Sequence, residues 1–138
     1  MRIGSGTLGW GVALAVAGSA AGHAAPDPLA AHRWQARILV VAAPDGADAR
    51  LRAQREAVAA ARSGFTERDL VVIDAVGPGE AAVALRRRLG LPDATFRAVL
   101  VGKDGEAKIT ASEPISPERL FATIDAMPMR RDEMRSRR

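Results

Sequence analysis

The side chains with the clearest potential for chemistry lie in the last third of the chain. Lys103, Asp104 and Lys108 cluster around one short turn, and Arg130 and Arg131 lie in a basic closing segment. Charged side chains at loop tips often contact partners. Lys103 and Asp104 could therefore present a charge pair to a partner. A turn also uses Asp-Gly for its backbone and Lys for solubility, so an ordinary surface turn is the alternative for Lys103 and Asp104.

Two further chemistries are open to this sequence. In an enzyme that uses no thiol, carboxylates such as Asp45 and Asp104 could take acid and base roles. The second chemistry is copper binding, because methionine thioethers bind Cu(I), and His32 could be a further ligand. Three methionines follow one another closely: Met127, Met129 and Met134. Core packing is the simpler role for Met127, because this residue falls on the apolar face of a predicted helix.

Three consecutive arginines, residues 86–88, suggest either a phosphate-binding surface or an exposed helix face. The second interpretation is preferred, because arginines near a helix C-terminus interact favourably with the helix dipole. The sequence has no nucleophile-elbow serine, phosphate-cradling glycine loop, dinucleotide fingerprint or metal-ligand spacing. It therefore assigns no catalytic residue, no cofactor and no metal site.

The chain contains no cysteine, which excludes both a thiol nucleophile and a structural disulfide. Residues 1–24 have the form of a cleaved signal peptide, with a basic start, an apolar stretch and small residues before a cut after Ala24. Cleavage after Ala21 is the alternative. The expected localisation is therefore periplasmic or secreted. Residues 25–34 are interpreted as an N-terminal spacer that leads into the folded domain.

The net charge of +4 is concentrated near the C-terminus. Residues 129–138 contain five arginines against Asp132 and Glu133, whereas acids and bases balance over residues 25–128. Residues 129–138 are therefore interpreted as a basic C-terminal tail, either loose or forming a further short helix. Such a tail could make weak contact with an anionic membrane surface. A charge this localised argues against nucleic acid as a partner.

Between these ends, residues 35–128 predict one α/β domain. Residues 37–43 and 70–73 are continuous apolar runs, typical of strands buried on both faces. A helix joins them, capped by Asp45 or Asp48 and ending at Gly64. A strand, a helix and a strand of these lengths imply a right-handed parallel crossover.

The second half of the domain predicts a helix, a hairpin and a covering helix. The first helix follows residues 77–79 and ends at Gly90, with residues 86–88 around its exposed side. Strands at 96–101 and 106–110 flank an Asp-Gly turn, which is typical of a β-hairpin. The last helix begins at Ser116, a favourable cap before proline. The predicted order is β-α-β-α-β-β-α, with a mixed four-stranded sheet flanked by helices.

This order resembles the thioredoxin core. In active thioredoxin-like proteins a cysteine lies where the first strand gives way to its helix, because a helix N-terminus lowers the thiol pKa. Here residues 44–48 hold no cysteine, and Thr95 stands before Phe96 where a proline usually precedes the third strand. The resemblance therefore implies a thioredoxin-like scaffold without thiol-disulfide or peroxidase chemistry.

The chain also resembles a family of mainly bacterial exported proteins, domain of unknown function 4174, over about residues 29–134. The matching stretches are Trp34 with Arg37, residues 68–73, residues 102–105 with Lys108, residues 124–131, and Glu133 with Met134. The family is thioredoxin-like and similar to domains of animal extracellular-matrix proteins, and it offers no established catalytic residue. The resemblance implies a redox-inactive binding module of the cell envelope, whose partner is a protein, an envelope component or a small ligand. Because the matching residues concentrate there, it also makes the hairpin turn and the closing segment the candidate partner-binding surface, with the residues Lys103, Asp104, Lys108, Arg130 and Arg131.

Overall fold

The computed structural model describes residues 26–138. A short 3-10 helix, Ala30–His32, precedes the first strand. The strands and helices that follow are β1 (Arg37–Ala43), α1 (Ala49–Ala60), α2 (Arg62–Glu67), β2 (Leu70–Val76), α3 (Glu80–Leu89), β3 (Arg97–Val101), β4 (Ala107–Ala111), α4 (Pro117–Asp125) and α5 (Pro128–Ser136). The signal peptide expected at residues 1–24 lies outside the described residues. Within residues 26–138, no helix is long and apolar enough to cross a membrane.

The four strands form one mixed sheet in the order β2-β1-β3-β4. Strand β1 pairs with β2 in parallel, whereas β3 pairs with both β1 and β4 in antiparallel. The predicted parallel pairing of the first two strands and the predicted hairpin are both confirmed. The sheet and its flanking helices agree with the expected thioredoxin-like α/β fold.

The core has two layers because successive side chains of a strand point to opposite faces of the sheet. Leu39 and Val41 of β1 pack on one face with residues of α1, α2 and α4. Ile38 and Val40 pack on the other face, where α3 contributes Ala82 and Leu85. All seven residues of β1 are buried, as their continuous apolar run predicted.

Strand β2 differs from its prediction. It extends to Val76 and lies at one edge of the sheet, where Val71 and Val72 are 37% and 38% exposed. The prediction of burial on both faces was therefore wrong for this strand. An apolar run in the sequence does not distinguish an edge strand from a central one, because that difference depends on the neighbouring strands.

The first crossover helix is also divided differently. A break at Ala61 separates α1 from α2, and Gly64 lies inside α2 instead of ending the helix. A Cβ atom at Gly64 would lie 2.6 Å from two ring carbons of Phe121, so this glycine permits close packing of α2 against α4. The glycine serves packing here, and its interpretation as a helix stop was wrong.

The other predicted helix ends are confirmed. The carboxylate of Asp48 accepts hydrogen bonds from the amides of Arg50 and Leu51, and the hydroxyl of Ser116 accepts one from the amide of Arg119. Gly90 ends α3 with a φ of 66°, a left-handed conformation that glycine adopts without steric cost. Residues 129–138 belong largely to the helix α5, which was one of the two forms predicted for them.

Candidate functional site

The side chains of β1, the hairpin turn and α5 meet in a buried ion cluster. Arg37 is 1% exposed and donates from Nη2 to Oε1 of Glu133 at 3.1 Å and from Nη1 to Oε2 at 3.2 Å. Lys103 donates from Nζ to the same Oε1 at 2.7 Å and to Oδ2 of Asp69 at 3.0 Å. The carboxylate of Glu133 therefore joins the first strand and the hairpin to α5.

A second group of charges extends this cluster along α5. Asp125, at the end of α4, accepts two hydrogen bonds from Arg68 at 3.0 and 2.9 Å and one from Arg130 at 3.1 Å. Arg130 is 1% exposed and also donates to the carboxylate of Glu67 at 3.0 Å. The cations of both groups therefore have carboxylate partners, which offset the cost of burying charge.

The pKa values of the acids reflect these contacts. Burial raises the pKa of Glu133, but hydrogen bonds from Arg37 and Lys103 outweigh burial and hold the pKa below its ordinary value. The hydrogen bond from Arg68 likewise lowers the pKa of Asp125, and Arg130 adds to the effect against the opposing effect of burial. Both carboxylates are therefore charged at neutral pH.

Two residues beside the cluster have a strained backbone. Trp34 has a φ of 66° and Asp69 a φ of 49°, in the left-handed region that non-glycine residues rarely adopt. The amide of Trp34 donates to the carbonyl of Lys103 at 2.7 Å, and the carbonyl of Asp69 accepts from the amide of Arg37 at 2.8 Å. Such conformations cost on the order of 1–3 kcal/mol each and occur often at functional sites.

A groove of about 270 Å³ lies above the cluster, between the hairpin turn and the start of α5. Its apolar part consists of the side chains of Trp34, Met127, Pro128 and Met129, and its polar part consists of Arg37, Lys103, Asp104 and Lys108, beside Gly102. Trp34 is 59% exposed and Met129 is 40% exposed. We call these residues the Trp34 groove.

A comparison with protein families assigns this chain to a family. The family model described as "Domain of unknown function (DUF4174)" matches residues 28–133. The chain belongs to the DUF4174 family. All residues of the groove and of the ion cluster lie inside this match.

Sushi repeat-containing protein SRPX is a relative of this DUF4174 chain in rat, in human and in mouse. The rat and human proteins are each 30% identical to it over 112 residues, which covers 71% of this chain and 24% of the relative. The mouse protein gives the same values. The chain thus spans about a quarter of the length of these curated relatives. No solved structure matches the chain.

The structure brings four of the five predicted binding residues of this DUF4174 domain to the groove or the cluster beneath it. Lys103 and Arg130 are buried against carboxylates, so their charges already have partners. Asp104 and Lys108 form an ion pair of 2.7 Å at the turn. Arg131 is exposed and makes no side-chain hydrogen bond or ion pair within residues 26–138.

The structure separates the two carboxylates of the non-thiol alternative, and it places two of the four candidate copper ligands in the groove. Asp45 follows β1, whereas Asp104 follows β3, whose end pairs with the start of β1. About 20 Å of strand therefore lies between these carboxylates, which is too far for action on one bond. Met127 and Met129 line the Trp34 groove, but Met134 and His32 do not. Among residues 26–138, no three His, Cys, Asp or Glu side chains form a metal site.

Sequence reasoning missed the structural roles of Arg37 and Glu133. A cation at the start of an apolar strand is the available signal, because a buried charge requires a partner. The partner lies 96 residues away in the sequence, and no local pattern connects the two. The sequence also missed Arg86, which was expected on an exposed face and is only 3% exposed.

Proposed function

We propose that this DUF4174 chain is an exported, redox-inactive binding module whose Trp34 groove receives a bulky apolar side chain from an extended segment of a partner protein. The main evidence is that two exposed apolar side chains, Trp34 and Met129, line the same groove. Tryptophan is enriched among the residues that dominate protein interfaces, and methionine adapts its shape to varied apolar partners. The absence of cysteine leaves the module without thiol chemistry.

The charges around the groove support a protein segment as the occupant. Lys103 and Arg37 are neutralised by Glu133 and Asp69, and Lys108 pairs with Asp104. A highly charged ligand would therefore have to displace an existing ion pair. An apolar side chain that packs against Trp34 and Met129 leaves these pairs intact.

The length of the relatives supports the same role, and export is proposed with it. In the sushi repeat-containing relatives the matched stretch is one part of a longer protein, which is consistent with a module that is combined with other domains. Residues 1–24 supply the proposed export signal, and the proposed location is the periplasm or the outside of the cell. Mass measurement of the chain from the envelope fraction tests export, with Ala25 expected at the mature N-terminus.

Retention of envelope proteins by the purified chain tests the groove. We expect Trp34→Gly and Met129→Ser each to lose proteins that the unaltered chain retains. Val72→Ser is the matched control, because Val72 is also an exposed apolar residue but lies on the edge strand β2. Equal retention by the groove variants and the unaltered chain would contradict the proposal. Reduction of disulfides or peroxide by the pure protein would contradict its redox-inactive part.

A further inference from the structure

A second cavity, of about 520 Å³, lies at the opposite end of the sheet from the hairpin turn. Its lining includes Pro44 after β1, Gly77 and Pro78 after β2, and Asp93 and Ala94 before β3. Strands β1 and β2 run in the same direction and β3 runs in the opposite one. The segments that follow β1 and β2 and the segment that precedes β3 therefore lie at the same end of the sheet. Arg86 and Arg87 of α3 complete the lining together with Val83.

Arg86 is buried without a counter-charge. Its Nη2 donates to the carbonyls of Gly77, Ala43 and Ala75 at 2.6, 3.3 and 3.3 Å. Its Nε is enclosed and has no hydrogen-bond partner, and its Nη1 makes no hydrogen bond within residues 26–138. No carboxylate of the described residues lies within 4 Å of the guanidinium.

Arg86 differs from the other buried cations because it has no carboxylate partner. Within residues 26–138 the buried cationic side chains are Arg37, Arg86, Lys103 and Arg130. All of them except Arg86 pair with a carboxylate at 3.1 Å or less. Burial of a charge costs several kcal/mol unless a partner offsets it, and three carbonyl dipoles offset only part of that cost. The guanidinium of Arg86 therefore lacks a negative partner at the wall of an open cavity.

We propose that this cavity is a binding site for a small organic oxyanion, whose carboxylate or phosphate group pairs with Arg86 and Arg87. The planar guanidinium presents donors in a geometry that matches these groups. Arg87 is exposed and has no ion-pair partner among the described residues, so it can supply a second charge. Pro44, Pro78 and Val83 supply an apolar wall for the organic part of the ligand. This site is independent of the Trp34 groove.

Titration of the purified protein with butyrate and with inorganic phosphate, followed by amide NMR, tests the site. We expect saturable shifts at Gly77, Val83 and Ala94 with at least one of the two probes. Saturation by butyrate alone indicates recognition of a carboxylate group, and saturation by phosphate alone indicates recognition of a phosphate group. Butylammonium is the matched control, because it carries a similar apolar chain with the opposite charge. Equal shifts with butylammonium, or no saturation by either anion at about 20 mM, would overturn the proposal.

Three variants test whether Arg86 and Arg87 bind the anion. Arg86→Met replaces the guanidinium with an apolar side chain of similar length. It is expected to weaken binding about tenfold, because it removes charge-assisted hydrogen bonds to the ligand. Arg87→Gln, at an exposed position, keeps the test valid if Arg86→Met does not fold, and it is expected to weaken binding about threefold. Arg52→Gln removes an exposed charge from α1 and is expected to leave affinity unchanged. Equal weakening by Arg52→Gln and Arg87→Gln would show that general charge, and not this cavity, attracts the anion.

Discussion

Glu133 on α5 holds the guanidinium of Arg37 on β1 with both of its carboxylate oxygens, although the two residues are 96 positions apart in the sequence. Lys103 donates to the same carboxylate, so a single acid from the last helix compensates two buried cations. The position of α5, and with it one wall of the Trp34 groove, therefore depends on this acid.

Replacement of Glu133 is expected to destabilise the protein strongly. Glu133→Gln leaves Arg37 and Lys103 without their shared counter-charge, and the loss of one partner from a buried ion pair costs about 3–5 kcal/mol. Urea denaturation followed by circular dichroism measures the free energy of unfolding. Asp132→Asn is the matched control on the same helix, because Asp132 is exposed and its pair with Arg135 is expected to contribute less than about 1 kcal/mol. A similar loss in both variants would contradict the assignment of the cluster.

Stability is expected to fall in mild acid. The pKa values of Glu133 and Asp125 are lower in the folded protein than their ordinary values of 4.5 and 3.8. Their contribution is therefore fully present above about pH 5, and it is lost as the pH falls through the ordinary values toward the folded ones. Urea midpoints measured between pH 7 and pH 3 test this dependence. The slope is expected to be smaller in Glu133→Gln, and an unchanged slope would remove Glu133 from the explanation.

The strain at Trp34 predicts an unusual order of stability. Trp34→Gly accepts the left-handed backbone, whereas Trp34→Ala keeps the steric conflict, so the glycine variant is expected to be more stable than the alanine variant by about 1 kcal/mol. In a regular helix or strand the order is the reverse. Denaturation midpoints of the two variants make the comparison, and a more stable alanine variant would show that the backbone at this position is unstrained. Neither variant is expected to retain the proposed partner.

The buried side chain of Gln54 predicts a further loss of stability. Its amide nitrogen donates to the carbonyl of Ile115 at 3.0 Å, and its oxygen accepts from the amide of Ile115 at 2.8 Å. Gln54→Ala leaves both backbone groups unpaired beside a cavity, at an expected cost of about 3 kcal/mol. Arg52→Ala, two residues earlier on the exposed face of α1, is expected to change stability by less than about 0.5 kcal/mol. Thermal unfolding of both variants checks the difference.

The fold was predictable where local chemistry decides it. Strand β1 was predicted with its observed ends, because seven consecutive residues suit burial on both faces. The helix starts at Asp48 and Ser116 were predictable because their side-chain oxygens can accept hydrogen bonds from backbone amides. The helix end at Gly90 was predictable because glycine adopts the left-handed conformation without steric cost. The edge position of β2 and the break between α1 and α2 were not predictable, because both depend on contacts with distant elements.

The candidate site was only partly predictable. The sequence drew attention to Lys103 and Arg130 through their charge, but it gave no sign that both lie in the interior. Their burial depends on acids from other elements, namely Glu133, Asp125 and Glu67. Arg86 was also predicted wrongly. A run of three arginines indicates an exposed helix face, but the packing of α3 buries the first of the three.

The dependence of Arg37 on Glu133 also sets the order in which the molecule can be completed. Synthesis proceeds from the N-terminus, so β1 and the hairpin leave the ribosome before α5 does. Until Glu133 emerges, Arg37 and Lys103 have no shared counter-charge, and enclosing them is unfavourable. We therefore expect this end of the sheet to stay open in the nascent chain until α5 has been synthesised.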